Sequence, residues 1–200
     1  GYTNETASNL FDGDTSTKWC YDAPSTSSSA WVVFKANEAC RLKGSHMFSH
    51  AGTSADPFQI SNADDLYWFA AWVNGTYTPA GGETAVTHLD ACAVLTNDIT
   101  VNTGVLNADG TLVSDGNNFS EWTPIGRGDF SYNGIFNGQG HTISGLYFNN
   151  SRRYYVGFFG CTGRNSKISN VGIVDSYFCG LNYVGGVCGH HSYGEISNCY

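Results

Sequence analysis

A short pattern of alternating apolar and polar positions recurs three times between residues 132 and 200. The copies centre on Ile143, Ile168 and Ile196, so the spacing is 168 − 143 = 25 and then 196 − 168 = 28. The glycines that open the preceding corners follow a similar spacing, 157 − 134 = 23 and then 185 − 157 = 28: Gly134, Gly157 and Gly185. Apolar alternation over a short stretch is typical of a half-buried strand. A repeat of about 20 to 50 residues is typical of repeat architectures.

These repeats predict a β-solenoid in which one copy forms one coil of about 23–28 residues. Each copy has an apolar face that it cannot bury alone, and stacking the copies supplies the partner. In register, Leu146, Val171 and Cys199 each follow an isoleucine by three positions, so we expect a second inward ladder there. Asn170 and Asn198 occupy matching corners, where a side-chain amide can satisfy the backbone of the turn.

One amphipathic helix is predicted over residues 61–75. Its apolar positions follow the i, i+3, i+4, i+7 spacing of a single face: Leu66, Phe69, Ala70 and Val73. Ser61-Asn62-Ala63-Asp64 fits a capping box with the serine at the N-cap, and Asn74-Gly75 is a suitable end. Because an open solenoid end exposes core and strand edges, we expect this helix to be the N-terminal cap.

The rest of the chain also reads as strands and turns. Residues 92–96 and 99–101 are predicted strands, and residues 102–121 are a predicted hairpin insertion with turns at Asp109-Gly110 and Asp115-Gly116. The composition of 25 glycines and 4 prolines in 200 residues is that of a turn-rich chain. The sequence therefore predicts an all-β protein.

Charge is sparse and mostly negative. There are 17 acidic and 9 basic residues, a net charge of −8, and no basic residue lies between Lys43 and Arg127. This pattern argues against nucleic acid or an anionic lipid surface as a partner. No apolar run approaches the ~20 residues of a membrane span, so no membrane insertion is expected. The chain begins without Met and stops within a repeat, so we expect both ends to belong to something longer.

The seven cysteines show no C-x-x-C pair and no zinc-finger spacing. They are Cys20, Cys40, Cys92, Cys161, Cys179, Cys188 and Cys199. We expect most of them to be small buried apolar residues, with a Cys20–Cys40 disulfide as the alternative for that pair.

Residues 1–43 contain an oxygen-rich turn, Asp12-Gly13-Asp14 with Thr17 three positions further on, before the strand Ala30–Ala36. From spacing alone this fits either an ordinary turn or a calcium loop. The segment resembles the start of discoidin-like domains, the coagulation-factor type C and family 32 carbohydrate-binding modules. That resemblance implies a structural Ca2+ held by the side chains of Asp12, Asp14 and Thr17 and by the Asn9 carbonyl. It also implies an incomplete β-sandwich-like segment.

Residues 44–56 are predicted to be a linker. Gly44-Ser45-His46-Met47 coincides with the scar that cleavage of a common expression tag leaves, or is a chance tetrapeptide. His46 and His50 are four apart, as metal ligands on a helix would be. The glycines and the proline nearby favour the linker instead.

Residues 57–200 are predicted to form the capped solenoid. Several motifs follow one another here: G-T-x-x-D-P-F-Q-I, D-D-L-x-x-F/W-A, W-T-P-I-G, F-N-G-Q-G-H-T-I-S-G-L-Y and Y-V-G-x-x-G. Over about residues 52–200 they resemble proteins that carry GLUG repeats, found in large bacterial surface and secreted proteins, including some immunoglobulin A proteases and adhesin-like proteins. The resemblance implies a right-handed β-helix-like stalk with no activity in the repeats.

No catalytic residue is predicted. The acids of the repeats are Asp129, Asp175 and Glu195. They occupy different positions of the repeat, so we do not expect them to converge as a catalytic pair. His141, His190 and His191 lie in glycine-rich corners, and we expect them to be turn residues without a partner carboxylate or nucleophile. Arg127-Gly128-Asp129 spells an integrin-binding tripeptide, a motif that arises often by chance.

Two functions are consistent with the sequence. The first is a non-enzymatic stalk or adhesin segment of a secreted or cell-surface bacterial protein. Such a segment would space neighbouring modules of the same chain and contact host or cell-surface glycans along its Tyr- and Phe-rich flank. The second is an ancillary, non-catalytic region of a larger carbohydrate-active enzyme or surface protease.

Overall fold

A computed structural model of the chain describes residues 50–77, 84–114 and 118–200. All of them lie in the second of the two units into which the chain divides, residues 46–200. The predicted calcium ligands Asn9, Asp12, Asp14 and Thr17 lie outside the described residues, as do Cys20, Cys40 and His46. The calcium site and the partial discoidin-like segment therefore stay predictions.

The described chain consists mostly of short strands with one helix, which confirms the all-β prediction. In chain order the elements are β1 (Phe58–Ile60), α1 (Ala63–Asn74), β2 (Ala93–Leu95), β3 (Ile99–Thr100), β4 (Ile135–Asn137), β5 (Thr142–Ser144), β6 (Tyr147–Asn149), β7 (Tyr154–Val156), β8 (Phe159–Thr162), β9 (Lys167–Ser169), β10 (Gly172–Val174), β11 (Tyr177–Cys179), β12 (Asn182–Val184), β13 (Cys188–His191) and β14 (Glu195–Ser197).

The strands form small, separate sheets in which the paired strands run parallel. One sheet has five strands in the order β1-β2-β4-β9-β14, and another has three in the order β10-β5-β3. The remaining pairs are β11-β6, β12-β7 and β13-β8. Strands β4 to β8 thus pair in the same order with β9 to β13. The sequence offset between partners is 184 − 156 = 28 for Val156 and Val184, and it reaches 168 − 136 = 32 for Phe136 and Ile168.

The predicted register is wrong in the first copy, for Ile143 and also for Leu146, whose carbonyl accepts from Tyr177 N at 2.8 Å and which is not aligned with Val171. Ile168 does pair with Ile196, but Ile143 lies in the neighbouring sheet, where it pairs with Ile99 and Ile173. Phe136, not Ile143, is the partner of Ile168 on β4. The predicted coil length is therefore too short for most pairs. Which strands pair in parallel depends on all the residues of each strand, not on one isoleucine. On β4, the buried Phe136 occupies the position opposite Ile168.

The corner asparagines stack on one another. Asn170 Nδ2 donates to Asn137 Oδ1 at 3.0 Å, and Asn198 Nδ2 donates to Asn170 Oδ1 at 3.1 Å. Asn170 and Asn198 have φ of 55° and 53°, a left-handed conformation that asparagine tolerates better than most residues. The matching corner positions are as expected. Their amide partners, however, are neighbouring amides rather than the turn backbone.

Helix α1 begins one residue later than predicted. The N-cap is Asn62, whose side chain accepts from Asp65 N at 3.0 Å, so the predicted serine N-cap is wrong. Ser61 instead donates its backbone N–H and its hydroxyl to the Asp65 carboxylate. Asn62 is still extended, with φ −155°, which is why the helix starts after it. Gly75 ends the helix as predicted, with φ 66° and its N–H donated to Trp72 O at 3.2 Å.

The apolar face of α1 packs on the strands. The four residues of the predicted face are buried: Leu66, Phe69, Ala70 and Val73. The Phe69 ring lies 6.1 Å from Phe136 and 6.3 Å from Tyr132. Full burial of such a side chain contributes about 1.5–3 kcal/mol, so this face holds the helix in place. No helix in the described ranges is long and apolar enough to cross a membrane.

The core between the sheets is aromatic. Trp122, Tyr132, Phe136, Phe158 and Phe159 are all fully buried. Their rings contact one another, with centroids 4.6 Å apart for Phe158 and Phe159 and 5.2 Å apart for Phe136 and Phe158. The indole N–H is satisfied, because Trp122 Nε1 donates to Phe158 O at 3.2 Å.

The predicted hairpin insertion is present. Leu106 and Leu112 form an antiparallel bridge, and Asn107 N donates to Thr111 O at 2.8 Å. Asp109 Oδ1 accepts from Thr111 N at 3.0 Å, as expected of an Asp-Gly turn. The second predicted turn, at Asp115-Gly116, lies outside the described residues.

Candidate binding groove

Two adjoining cavities of about 350 and 330 Å3 lie beside residues 121–130 and 150–155. Both are lined by Arg127, Arg153, Tyr154 and Tyr155. We call this surface the arginine–tyrosine groove and define it by Arg127, Phe130, Arg152, Arg153, Tyr154 and Tyr155. Sequence reasoning assigned no binding role to any of these side chains beyond the Arg127-Gly128-Asp129 tripeptide and a general aromatic flank.

One wall of the groove is fixed to the end of helix α1. Asn74 Nδ2 donates to Pro124 O at 3.0 Å, and Asn74 Oδ1 accepts from Gly126 N at 2.9 Å. Gly126 has φ +75°, and a Cβ there would collide with the Cys161 carbonyl oxygen on β8. The position requires glycine, so the chain enters the groove on a tightly held backbone.

Arg127 is held by the turn that follows. Arg127 N donates to Phe130 O at 3.0 Å and Phe130 N donates to Arg127 O at 2.6 Å, which closes a tight turn. The Arg127 guanidinium carbon lies 5.1 Å from the centre of the Phe130 ring, within the range of a cation–π contact. Phe130 remains 43% exposed. The turn therefore presents a cation and an aromatic ring together at the surface.

The opposite wall is the turn between β6 and β7. Asn150 Oδ1 accepts from Arg152 N at 3.1 Å, and Asn150 O accepts from Arg153 N at 3.0 Å. Arg153 O accepts from Leu181 N at 2.7 Å. These bonds order the backbone and leave the side chains of Arg152 and Arg153 exposed.

Tyrosines continue the groove along β7 and its partner β12. Tyr154 is 50% exposed and Tyr183 is 48% exposed. The rings of Tyr155 and Tyr183 stack with centroids 5.0 Å apart and planes at 4°. Tyr155 and Tyr183 have φ of 62° and 58°, a left-handed conformation that is strained for a bulky residue. The chain therefore accepts backbone strain at two adjacent strands where it stacks these rings.

The groove concentrates the positive charge of the described chain. The Lys and Arg residues of the described chain are Arg127, Arg152, Arg153, Arg164 and Lys167. The first three line the groove. Two acidic residues also line the cavities, Glu121 the larger and Asp129 the one that the three arginines share. Between two described residues, ion pairs within 4.0 Å join His50 with Asp56 and His141 with Asp98, so no described carboxylate pairs with the three arginines. Their guanidinium groups can accept an anion.

The histidines have partners that the sequence did not reveal. His141 Nδ1 lies 3.3 Å from Asp98 Oδ1, so the expectation that this histidine lacks a carboxylate is wrong. The hydrogen bond from the Thr142 backbone, and then that from His141, lower the pKa of Asp98. His191 Nδ1 lies 2.7 Å from Thr162 Oγ1. The partners come from strands that only the fold brings together.

His190 and Cys161 form a thiol–imidazole pair. Cys161 Sγ lies 3.5 Å from His190 Nδ1 and 3.0 Å from Ser131 Oγ, so the expectation that His190 has no such partner is also wrong. Cys161 is 3% exposed, whereas His190 is half-buried. No cluster of three or more His, Cys, Asp or Glu side chains suited to a metal occurs in the part of the chain described.

The described cysteines are free thiols. Cys92 and Cys161 are buried, whereas Cys179, Cys188 and Cys199 are half-buried, so the burial expected of most cysteines holds for two of the five described. Burial raises the pKa of the Cys188 thiol. Half-buried positions arise because these three cysteines lie near or on the last strands, which have fewer neighbours.

Comparison with known proteins gives two partial matches. The chain is 32% identical over 79 residues to a protein named as a Gly-rich membrane protein of Evansella cellulosilytica, which covers 38% of this chain and 9% of that protein. It is 30% identical over 148 residues to halomucin of Haloquadratum walsbyi, which covers 74% of this chain and 1% of that protein. No family model matches, and no solved structure matches. The chain spans a small fraction of the length of either relative.

Proposed function

We propose that this chain is a non-enzymatic scaffold segment of a secreted or cell-surface protein, built as a right-handed β-solenoid, that spaces neighbouring modules and contacts glycans. The observation that carries the scaffold is the pairing of β4 to β8 with β9 to β13, parallel and in the same order. Successive coils of a solenoid pair in this way, because each coil buries its apolar face on the next. The handedness comes from the resemblance to GLUG-repeat proteins.

Helix α1 acts as the N-terminal cap in this proposal. It follows β1, which is the outermost strand of the five-stranded sheet. Its buried Phe69 reaches Tyr132 and Phe136, which belong to the aromatic core. A helix in this place covers apolar surface that a first coil would otherwise expose to water.

The surface location is supported by the two relatives, whose names are those of a membrane protein and of halomucin. The non-enzymatic character is supported by the burial of the Cys161 thiol, whose partner His190 is half-buried. Glycan contact is supported by exposed aromatic rings beside hydrogen-bonding side chains, since sites for small ligands combine aromatic surface with a few polar groups.

Binding to immobilised polysaccharides, measured together with the release of sugar fragments, tests this function. The full chain is applied to neutral and acidic polysaccharides in the presence of calcium and again with a chelator. We expect retention on at least one class without release of fragments. Fragment release by the pure chain would contradict the non-enzymatic proposal, and absence of retention on every class would contradict glycan contact.

The chelator arm also tests the predicted calcium site. If Asn9, Asp12, Asp14 and Thr17 hold a structural Ca2+, removal of the ion lowers the unfolding temperature of the chain, because a ligand bound only to the folded state stabilises it. The variant Asp12→Asn weakens the site while leaving the groove intact. Equal unfolding temperatures with calcium and with chelator would contradict the site.

A further inference from the structure

We infer that the arginine–tyrosine groove binds acidic carbohydrate, a glycan whose sugars carry carboxylate or sulfate groups. This inference rests on the proposed glycan contact and narrows it to one class of ligand and one place on the molecule. Its basis is the convergence of three arginines, none paired with a described carboxylate, with exposed tyrosines on a protein whose net charge is −8.

The groove differs in charge from the protein as a whole. A protein with 17 acidic and 9 basic residues repels anions over most of its surface. Arg127, Arg152 and Arg153 nevertheless line one cavity, and no described carboxylate lies within 4.0 Å of their nitrogens. A guanidinium group presents a planar fork of donors that matches the two oxygens of a carboxylate or sulfate. The groove is therefore chemically suited to an anion.

The aromatic residues argue that the anion belongs to a larger organic ligand. Tyr154 is half exposed and lies beside Arg153, while Phe130 is exposed beside Arg127. Rings of this kind offer a flat apolar face and, in tyrosine, a hydroxyl group at the edge. A sugar ring has an apolar face and hydroxyl groups at its edge, so it complements both. A free inorganic anion would not use these rings.

Two stacked tyrosines with a strained backbone, Tyr155 and Tyr183, lie at one end of the groove. Tyr155 lines the groove, and its ring stacks on Tyr183 of the neighbouring strand at 5.0 Å. Both residues have positive φ, and strain of this kind is found where a site fixes side chains. The stacked rings extend from the arginines toward β12, so a chain of several sugars can lie across both strands.

Duplex DNA and an anionic membrane surface fit the groove less well than an acidic carbohydrate does. Sequence-independent binding of duplex DNA uses many Lys and Arg contacts along the backbone. An anionic membrane surface is recognised by clusters of about 4–8 basic residues. The groove has three arginines, and Glu121 and Asp129 also line its two cavities. A short carbohydrate with one charge per sugar is the better match in size and charge.

Titration calorimetry with matched probes tests the inference on the full chain. The carboxylated probe is a hexamer of galacturonate, and its neutral counterpart is a hexamer of galactose. The sulfated probe is dextran sulfate, and its counterpart is dextran. We expect at least one acidic probe to bind about tenfold or more tightly than its counterpart, with affinity falling as salt is added. The probe that binds identifies the anionic group.

Substitutions place the binding in the groove. We expect Arg153→Gln to lower the affinity for the acidic probe by about tenfold, because a charge-assisted hydrogen bond is lost. Arg153→Lys should lower that affinity less. Arg127→Gln is the second groove variant. Arg164→Gln is the matched control, since Arg164 is an exposed arginine that lies over Tyr193 at 5.0 Å, outside the groove lining. Circular dichroism and thermal unfolding check the fold of each variant.

The outcomes separate this inference from the proposed function. Binding of a neutral probe alone, unchanged in Arg153→Gln and Arg127→Gln, overturns the acidic groove and leaves glycan contact in place. Binding of no probe of either class overturns both. Equal weakening by Arg164→Gln, or tighter binding to phosphatidylserine vesicles or duplex DNA than to either acidic probe, also overturns the inference.

Discussion

Paired positions on the central strands β4–β9 and the C-terminal strands β10–β14 differ in burial although the residues are similar. Ile168 lies on β9 between β4 and β14 and is fully buried. Ile196 pairs with it directly on β14, which has one neighbouring strand in the part described, and is half-buried. The same side chain thus has a different environment because the number of neighbouring strands differs. Burial in this fold is supplied by the adjacent strand.

The aromatic core shows the same contrast. Phe158 and Phe159 are fully buried, whereas Cys188, which pairs with Phe159, and its neighbour Val187 are half-buried. Large apolar side chains that remain exposed are frequent near the end of the sequence: Leu181, Tyr183, Val184, Tyr193 and Tyr200. The C-terminal strands therefore leave apolar surface exposed to water. We expect them to contribute less to the free energy of unfolding than the central strands do.

The largest expected effect comes from truncating the two paired isoleucines. Ile168→Ala should lower the free energy of unfolding by about 3 kcal/mol, since it removes buried methylene groups and leaves a cavity between two strands. Ile196→Ala should cost about 1 kcal/mol, because water already reaches that side chain. Urea unfolding measures both. Equal costs would contradict the claim that burial is supplied by the adjacent strand.

The asparagine ladder gives an intermediate effect. Asn170→Ala removes a bond to Asn137 and a bond from Asn198, whereas Asn198→Ala removes only the second. We expect losses of about 2 and about 1 kcal/mol in the free energy of unfolding, from the lost bonds and the left-handed backbone. Asn170→Gly and Asn198→Gly keep the backbone conformation accessible and isolate the side-chain part. A larger loss at Asn198 than at Asn170 would count against the ladder.

The smallest effect concerns pH. Tyr67 of α1 donates to Ser120 O at 3.1 Å, and burial, with the nearby Glu121 charge, raises the pKa of Tyr67 to about 12. Folding thus favours the neutral phenol. Its contribution is complete below the ordinary pKa of about 10 and is lost as pH rises through about 12. Because Tyr67 is partly exposed, we expect a loss under about 1 kcal/mol by pH 11.

Thermal unfolding between pH 8 and about pH 11 measures this loss. Tyr67→Phe should flatten the alkaline part of the curve, because the variant has no phenol to ionise. Tyr193→Phe is the matched control in the turn between β13 and β14, since Tyr193 is 72% exposed. An unchanged alkaline slope in Tyr67→Phe would show that this hydroxyl is not the group that titrates.

Local patterns made part of this structure predictable. The apolar face of α1 and its glycine stop follow from spacing within one helix, and the hairpin at residues 105–113 follows from one Asp-Gly turn. The register did not follow, because Phe136 and Ile143 are both apolar and both precede Ile168 by a plausible repeat length. Only the pairing of the whole strand distinguishes them.

The groove could not be predicted for a related reason. Arg127 and Arg153 are far apart in sequence, and they meet because residues 121–132 run alongside β6 and β8, with a bridge between Ile125 and Phe159. Two signals in the sequence do point there. Arg127 is the first basic residue after a long stretch without any, and Tyr155 has a counterpart in Tyr183 at the offset of the last repeat (183 − 155 = 28).

Amide hydrogen exchange compares the central and C-terminal strands most directly. The amides of β9 (Lys167–Ser169), which has a strand on each side, should exchange more than about tenfold more slowly than those of β14 (Glu195–Ser197), which pairs with β9 alone. Equal protection of β9 and β14 would contradict the claim that each strand is buried and stabilised by the strands that pair with it.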